Sequence, residues 1–501
     1  MKNITQYLEL TTMLYGNKKA IVCENKSLTY NEYLNHAQSS GTVFSKIMVP
    51  KSPIIIFMEK GPEALSLFMG VAYARCFYIF IDPKQHEGRI QQILDISNAK
   101  LMITHESRLP STVHFSGKTM NYQDIISKEP DKIALDKIQS SALDTDPLYC
   151  NFTSGTTGVP KGVIVSHGSV IDFIDEFTPI FKITHNDIIG NQAPFDFDVS
   201  VKDIYSALST GATLVVIPKK YFSVITSLMD YLVDNQVTTL IWAVSALSML
   251  VQFKGLSYKV PTDVNKIMFS GEKMPLPILK KLQKALPESI YVNLYGPTEI
   301  TCNCTYEFIP TSLSDDYVMP IGKSFVNEEV FLLDETNRLI VDYEKKGEIC
   351  VIGRCLALGY YNNPEQTEKH FVQNPLNKVY PERMYRTGDL GYKMSDDKFY
   401  YAGRKDFQIK HMGHRIELEG IEVMAYQNTS VHQACCFYIE EKHQIILCYC
   451  GSIEATELKK YFIESVESYM VPTIIKQFES LPLNNNGKLD RKQIRLEYQQ
   501  L

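Results

Sequence analysis

The sequence lacks the features of several protein classes. Charged residues interrupt its longest apolar region, residues 53–81, so no stretch of the 501 residues is expected to span a membrane. A formal net charge of -6 gives no general attraction for nucleic acid or for acidic membranes. The first ten residues are too polar for a signal peptide. We therefore expect a cytoplasmic monomer that neither spans a membrane nor binds nucleic acid.

The spacing of the cysteines indicates neither a disulfide framework nor a zinc site. The eleven cysteines show no regular spacing. The pairs Cys302 with Cys304 and Cys435 with Cys436 lack zinc-ligand spacing and accompanying histidines. We therefore predict reduced thiols, most of them buried as small apolar residues.

The pattern of apolar residues predicts an α/β fold in two domains. Apolar runs alternate with amphipathic stretches over residues 1–145 and again over residues 148–305, which indicates two doubly wound α/β subdomains. Short strands with close turn signals over residues 309–401 predict a β-rich subdomain. We predict a large N-terminal domain of residues 1–403 and a small, mobile α+β domain of residues 404–501.

The segment of residues 153–162, T-S-G-T-T-G-V-P-K-G, follows a strand-like apolar run. Its glycines, hydroxyl groups and Lys161 offer backbone and side-chain donors suited to a polyphosphate. It is not a Walker loop, because Pro160 replaces the required glycine and Gly162 replaces the required Ser or Thr. A loop of this composition is also common as a plain surface loop, so its interpretation depends on the other motifs.

Six further motifs accompany this loop, and together they resemble the adenylate-forming superfamily of acyl-CoA synthetases, luciferases and nonribosomal peptide synthetase adenylation domains. The motifs are L-T-Y at 28–30, N-L-Y-G-P-T-E at 293–299, G-E-I at 347–349 with G-Y at 359–360, Y-R-T-G-D-L at 385–390, G-R-K-D-F-Q-I-K-H-M-G-H-R-I-E-L-E at 403–419, and N-G-K-L-D-R at 486–491. The resemblance extends over nearly the whole chain. It implies ATP-dependent formation of an acyl adenylate, followed by transfer of the acyl group to a thiol.

The resemblance also implies roles for individual residues. Lys488, Thr298 and Lys161 would be catalytic, Glu299 would hold Mg²⁺, and Asp406 would be the hinge between the two domains. Glycine at position 413 would line the path of the thiol. The implied ATP-binding residues are Thr153, Ser154, Gly155, Thr156, Thr157, Gly158, Asn293, Tyr295, Asp389 and Arg404.

Residues 193–205, A-P-F-D-F-D-V-S-V-K-D-I-Y, bear on the substrate. They resemble the Phe-Asp-x-Ser-Val pattern of amino-acid adenylation domains, in which the aspartate binds the α-ammonium group. A carboxylate in an apolar pocket is costly without a cation, so Asp198 favours an amino acid. The alternative is that Asp198 caps a helix that begins near Ser200. The implied substrate-binding residues are Asp198, Val199, Lys202, Ser270, Gly271, Glu272, Leu294, Cys302 and Asn303.

Lys202 is four residues after Asp198, a spacing that places both on one face of a helix. If Lys202 is buried, its partner is either an acidic substrate side chain or Glu272. A solvent-facing Lys202 is an equal alternative. The chain resembles in particular the stand-alone ligases that load D-alanine onto a carrier protein, but departs from them at Ser270 and Lys202.

The sequence therefore predicts an enzyme that activates an amino acid with ATP and Mg²⁺. Ten residues follow Arg491, so we expect the acceptor to be a separate carrier protein that bears phosphopantetheine. One alternative is an acid:coenzyme A ligase of the same superfamily. The other is an adenylate-binding protein without catalysis, against which Lys161, Glu299, Asp389 and Lys488 count.

Overall fold

The computed structural model describes residues 2–105, 107–155, 159–483 and 489–500. In chain order its α-helices are α1 (Thr5–Tyr15), α2 (Tyr30–Ile47), α3 (Pro62–Tyr73), α4 (Glu87–Ser97), α5 (Tyr122–Ile126), α6 (Lys132–Ser140), α7 (His167–Ile180), α8 (Val199–Thr210), α9 (Ile225–Asp234), α10 (Val244–Gln252), α11 (Gly255–Tyr258), α12 (Leu276–Ala285), α13 (Pro364–His370), α14 (Leu418–Gln427), α15 (Ala455–Ser465) and α16 (Arg491–Gln499).

The strands are β1 (Lys19–Cys23), β2 (Lys26–Thr29), β3 (Pro53–Phe57), β4 (Phe77–Ile81), β5 (Leu101–Thr104), β6 (Lys118–Asn121), β7 (Pro147–Thr153), β8 (Lys161–Ser166), β9 (Ile188–Asn191), β10 (Thr213–Val216), β11 (Thr239–Ala243), β12 (Lys266–Ser270), β13 (Ile290–Tyr295), β14 (Thr305–Phe308), β15 (Lys323–Ser324), β16 (Glu328–Leu333), β17 (Gly347–Gly353), β18 (Gly359–Tyr360), β19 (Phe371–Gln373), β20 (Arg383–Lys393), β21 (Phe399–Arg404), β22 (Gln408–His411), β23 (His414–Glu417), β24 (Val431–Ile439), β25 (Gln444–Gly451) and β26 (Ile474–Gln477).

Two large, mostly parallel sheets form the centre of the molecule. One has the order β18-β8-β7-β4-β3-β5-β6, and the other has the order β15-β14-β13-β12-β11-β9-β10-β1-β2. Strands such as β4, F-Y-I-F-I, are buried at every position, because parallel strands in the centre of a sheet are covered on both faces. The predicted α/β class is therefore confirmed.

The two sheets do not coincide with the two sequence segments from which they were predicted. The first segment contributes β1 and β2 to the nine-stranded sheet, where Ile21 pairs in parallel with Leu214. Conversely, β7 and β8 begin the second segment but belong to the seven-stranded sheet. Apolar periodicity identifies a strand, but the packing of the whole chain decides which sheet edge it joins.

The remaining sheets lie in the C-terminal half of the chain. The β-rich subdomain is a sheet with the order β16-β17-β20-β19, and β21 pairs with β20. The hairpin β22-β23 and the sheet β24-β25-β26 form the α+β region together with α14, α15 and α16. All eleven cysteines are free and buried, which confirms their predicted state. In the described part of the chain, no helix combines the length and apolar character that a membrane crossing requires.

Candidate active site

Asp389 lies on β20, an inner strand of the β-rich sheet, and is 5% exposed. Tyr295, the last residue of β13, donates its hydroxyl hydrogen to Asp389 Oδ2 at 2.6 Å. Arg404, which faces Asp389 across the β20–β21 pair, donates from Nη1 to Asp389 Oδ1 at 2.7 Å. Burial raises the pKa of Tyr295, and the neighbouring Asp389 raises it further, so the phenol stays a neutral donor.

Arg404 also connects this carboxylate to Asp406, the predicted hinge residue. Its Nε and Nη2 donate to the two carboxylate oxygens of Asp406 at 2.6 and 2.7 Å. The forked guanidinium thus joins Asp389 to Asp406 in a geometry that a lysine could not reproduce.

Glu299 is a second buried carboxylate, 1% exposed, in the turn after β13. Arg415 Nη1 lies 2.9 Å from one of its oxygens and 2.8 Å from the other, and the Tyr360 hydroxyl donates to Oε1 at 2.8 Å. Burial alone would raise the pKa of Glu299, but the charge of Arg415 and the Tyr360 hydrogen bond lower it to about 2. The carboxylate is therefore ionised at neutral pH.

Arg415 belongs to β23, so this ion pair joins the β22-β23 hairpin to the turn after β13. The hydroxyl of Ser154 donates to the backbone oxygen of Arg415. At the turn of the hairpin, the backbone N–H of Gly413 donates to Glu272 Oε1 at 2.9 Å. Glu272 therefore contacts the hairpin and is not the partner of Lys202.

Lys161 lies beside the same cluster, at the beginning of β8. Its Nζ is 5.9 Å from the centre of the Tyr360 ring. Desolvation lowers the pKa of Lys161, whereas the charges of Glu417 and Glu299 oppose that shift. Gly155 allows a close approach within the loop, because a Cβ there would lie 2.1 Å from the backbone oxygen of Val159. Thr156, Thr157, Gly158 and Lys488 lie outside the described residues.

Lys202 is 1% exposed on α8, which excludes the solvent-facing alternative. Its Nζ donates to Ser270 Oγ at 3.1 Å and to Asn303 Oδ1 at 2.8 Å. Both acceptors are neutral, and no described carboxylate forms an ion pair with it. These three predicted residues therefore meet in one buried cluster.

Asp198 lies at the N-terminus of α8 and is half-buried. Its side chain makes no capping hydrogen bond, so the helix-cap interpretation is wrong for this structure. Among the described residues, no donor is hydrogen-bonded to its carboxylate. The Cys302 thiol donates to the backbone oxygen of Asp198 at 3.0 Å, which places Asp198 beside the Lys202 cluster.

A tight turn brings Cys302 and Asn303 to this pocket. Thr301 and Cys302 have φ angles of 53° and 79°, in the left-handed region that non-glycine residues rarely adopt. A Cβ at Gly296 would lie 2.5 Å from Asn303 Cα, so only glycine permits this approach. The turn after β13 thus carries Glu299 on one side and two pocket residues on the other.

The other predicted residues occupy the surroundings of these clusters. Asn293 is buried, and its side-chain amide donates to the backbone oxygen of Pro320 at 2.8 Å. Thr153 and Thr298 are half-buried beside the loop and the Glu299 turn, respectively. Val199 is half-buried, Leu294 is buried, and Gly271 has a φ of +97° directly after Ser270.

Sequence reasoning missed two residues that the structure brings to the site. Arg415 stands within a recognised motif, but nothing in its spacing indicates contact with a residue 116 positions away. Tyr360 likewise belongs to a G-Y pair whose contact with Glu299 the sequence does not show.

The donor set fits a magnesium ion that is bound mainly through a nucleotide. Among the described residues, no group of three or more His, Cys, Asp or Glu side chains is arranged to hold a metal. Glu299 supplies one ionised, hard oxygen donor, and Mg²⁺ commonly takes its remaining ligands from phosphates and water. In this structure the same carboxylate is ion-paired with Arg415.

Comparison with known proteins finds two kinds of relatives, which differ in how much of their length this chain spans. Gramicidin S synthase 1 from Brevibacillus brevis is 31% identical over 98% of this chain, which spans only 44% of that relative. The D-alanine--D-alanyl carrier protein ligase from Bacillus licheniformis is 30% identical, with 95% of this chain and 96% of the relative covered. The chain thus spans about half the length of some relatives and nearly all of others.

Solved structures show the same fold. A double mutant of o-succinylbenzoate CoA synthetase from Bacillus subtilis superposes with a TM-score of 0.84, at 18% identity, with 99% of this chain and 98% of that chain covered. A family model described as AMP-binding enzyme matches residues 9–361. The resemblance seen in the motifs is confirmed, and this chain belongs to the AMP-binding enzyme family.

Proposed function

We propose that this enzyme uses ATP to activate an α-amino acid as its adenylate and transfers the aminoacyl group to a phosphopantetheine thiol of a separate carrier protein. The observation that carries the amino-acid assignment is the carboxylate of Asp198. It lies beside the buried pocket without a hydrogen-bond donor among the described residues, so it can accept the α-ammonium group of a substrate. The full-length similarity to a D-alanine--D-alanyl carrier protein ligase supports the choice of acceptor.

In the first half-reaction, an oxygen of the amino acid's carboxylate attacks the α-phosphorus of ATP. The bond from that phosphorus to the bridging oxygen breaks, and pyrophosphate leaves. Asp389 and Arg404 would hold the ribose, and Tyr295 would lie against adenine. Thr298, Lys161 and Lys488 would stabilise the negative charge that develops on the phosphates. Mg²⁺, held through Glu299, would supply further charge neutralisation.

In the second half-reaction, the thiol sulfur attacks the carbonyl carbon of the adenylate. The bond from that carbon to the phosphate oxygen breaks, AMP leaves, and the thiol proton is lost to solvent. The docked β22-β23 hairpin, with Gly413 against Glu272, supports assigning the present arrangement to this step. A rotation about Asp406 would then withdraw Arg415 from Glu299 for the adenylation step, in which Lys488 is proposed to act.

The function is tested by pyrophosphate release from the purified chain with ATP and Mg²⁺, across all L- and D-amino acids and a set of short fatty and aryl acids. A response to one or two amino acids is expected. A response restricted to acids that lack an amine would contradict the assignment of Asp198 and favour coenzyme A ligation. ATP binding without pyrophosphate release for any of the acids would favour an adenylate-binding protein.

The proposed role of Arg415 predicts a separation of the two half-reactions. Arg415→Met removes the ion pair that holds the hairpin against Glu299 while it keeps a long side chain. We expect pyrophosphate release to persist within about threefold, and transfer to pantetheine, used as a probe thiol, to fall by at least about tenfold. Single-turnover thioester formation from preformed adenylate measures the second step.

The matched control is Arg354→Met, which breaks an exposed ion pair to Asp144 at 2.6 Å, away from the clusters described above. It should leave both steps unchanged. An equal loss of both steps in Arg415→Met would show that Arg415 does not distinguish the two arrangements.

A further inference from the structure

We propose, on the basis of the function proposed above, that the side-chain end of the amino-acid pocket binds an anionic side chain, with Lys202 and Tyr149 as its two donors. The substrate class is therefore an amino acid with a carboxylate in its side chain, such as aspartate or glutamate. Tyr149 lies on β7 of the seven-stranded sheet, whereas Ser270 lies on β12 of the nine-stranded sheet. None of the sequence motifs includes Tyr149.

The first observation is the unbalanced charge of Lys202. An ammonium group has three hydrogens to donate, and only Ser270 and Asn303, both neutral, accept from it. A buried cation is costly unless a carboxylate or comparable acceptor compensates for it. Within the described residues, the pocket itself provides no ion-pair partner, so a substrate carboxylate is the fitting one.

The nearby aspartates do not fill that role. Asp203, the next residue on α8, accepts from the Asn191 side chain at 2.7 Å, and burial raises its pKa. It forms no ion pair with Lys202 among the described residues, whose Nζ donates instead to Ser270 and Asn303. Asp198 lies near the Lys202 cluster, but the proposed function assigns its carboxylate to the α-ammonium group. A second substrate carboxylate at Lys202 would leave the occupied pocket balanced.

The second, independent observation is the hydroxyl of Tyr149. The side chain is 0% exposed, and the hydroxyl has no hydrogen-bond partner among the described residues. Buried phenols normally have a partner, because an unpaired buried donor is costly. The centre of the Tyr149 ring lies 5.8 Å from that of Tyr78, whose hydroxyl is 2.9 Å from the Tyr205 hydroxyl on α8, the helix that carries Lys202. Burial raises the pKa of Tyr149, so the hydroxyl keeps its proton. An acceptor on the substrate would satisfy this hydroxyl.

The test compares pyrophosphate release with aspartate, glutamate, asparagine, glutamine, serine and alanine, each as both enantiomers. We expect the best substrate to be an acidic amino acid, preferred over its own amide by at least about tenfold. If a neutral amino acid is preferred, the function proposed above survives and this inference fails. If no amino acid is used, both fail.

Asn303→Asp is the sharpest variant, because it places a carboxylate 2.8 Å from Lys202 Nζ with almost no change in volume. The new internal partner should lower kcat/KM for the acidic substrate by at least about tenfold and spare the corresponding amide. Lys202→Met should likewise reduce the ratio of kcat/KM for the acid to kcat/KM for its amide. Tyr149→Phe should reduce the same ratio by about threefold. Unchanged ratios in all three variants would overturn the proposal.

A matched control and a stability measurement keep these results interpretable. Lys266→Met removes another largely buried lysine of the nine-stranded sheet, whose partner Asp187 is 2.7 Å away. It should leave the ratio of acid to amide unchanged. Lys202→Arg, which keeps the charge, should retain the preference for the acid if Lys202→Met does not fold. Loss of that preference in folded Lys202→Arg, together with an unchanged ratio in Asn303→Asp, would contradict the role of the charge.

Discussion

Replacement of Glu299 by glutamine is expected to lower the rate of pyrophosphate release by about 100-fold or more. The substitution keeps the shape of the side chain and an oxygen that can accept from the Tyr360 hydroxyl, but it removes the charge. The charged carboxylate of Glu299 is the proposed hard-oxygen ligand for the magnesium that accompanies ATP. The loss should be smaller at high Mg²⁺ concentration, so rates are measured over a Mg²⁺ series.

The matched control for this variant is Glu348→Gln. Glu348 is also a buried carboxylate. It forms an ion pair with Arg386, whose Nη2 is 2.6 Å from Glu348 Oε2, just as Glu299 forms one with Arg415. If both variants are destabilised to a similar extent but only Glu299→Gln loses activity, the effect is catalytic. Equal, near-normal activity in both variants would remove Glu299 from the reaction.

Asp198→Asn is expected to lower kcat/KM for the preferred amino acid by about 100-fold or more. The α-ammonium group would then enter a pocket in which its counter-charge has been replaced by a neutral amide. Because Asp198 makes no capping hydrogen bond to α8, the substitution should cost little stability. The measurement compares the amino acid with the same acid lacking the amine.

In Asp198→Asn, kcat/KM for the des-amino acid should fall by less than about tenfold, since this acid makes no ion pair with Asp198. Asp196→Asn serves as the control, because Asp196 stands two residues earlier and accepts from Gln85 at 2.6 Å. An equal loss for amino and des-amino acids in Asp198→Asn would contradict the assignment of the α-ammonium site.

Local pattern identified most of the elements. The alternation of apolar and amphipathic stretches over residues 148–305 corresponds to strands such as β12 and helices such as α12. Such elements follow from side-chain periodicity, which the sequence contains directly. The exchange of β1–β2 and β7–β8 between the two sheets was not predicted, because it depends on which edges are open after the chain has packed.

The candidate site divides in the same way. The sequence by itself determined which residue types are available for the proposed chemistry, including Asp198, Glu299 and Asp389, since the motifs contain them in order. Only the tertiary structure decided their partners. Lys202 is hydrogen-bonded to Ser270 and Asn303, and Arg415 is paired with Glu299, which is 116 positions away in the sequence. The physical reason is that an ion pair between distant segments depends on burial and on the packing of those segments against each other, neither of which is encoded in local spacing.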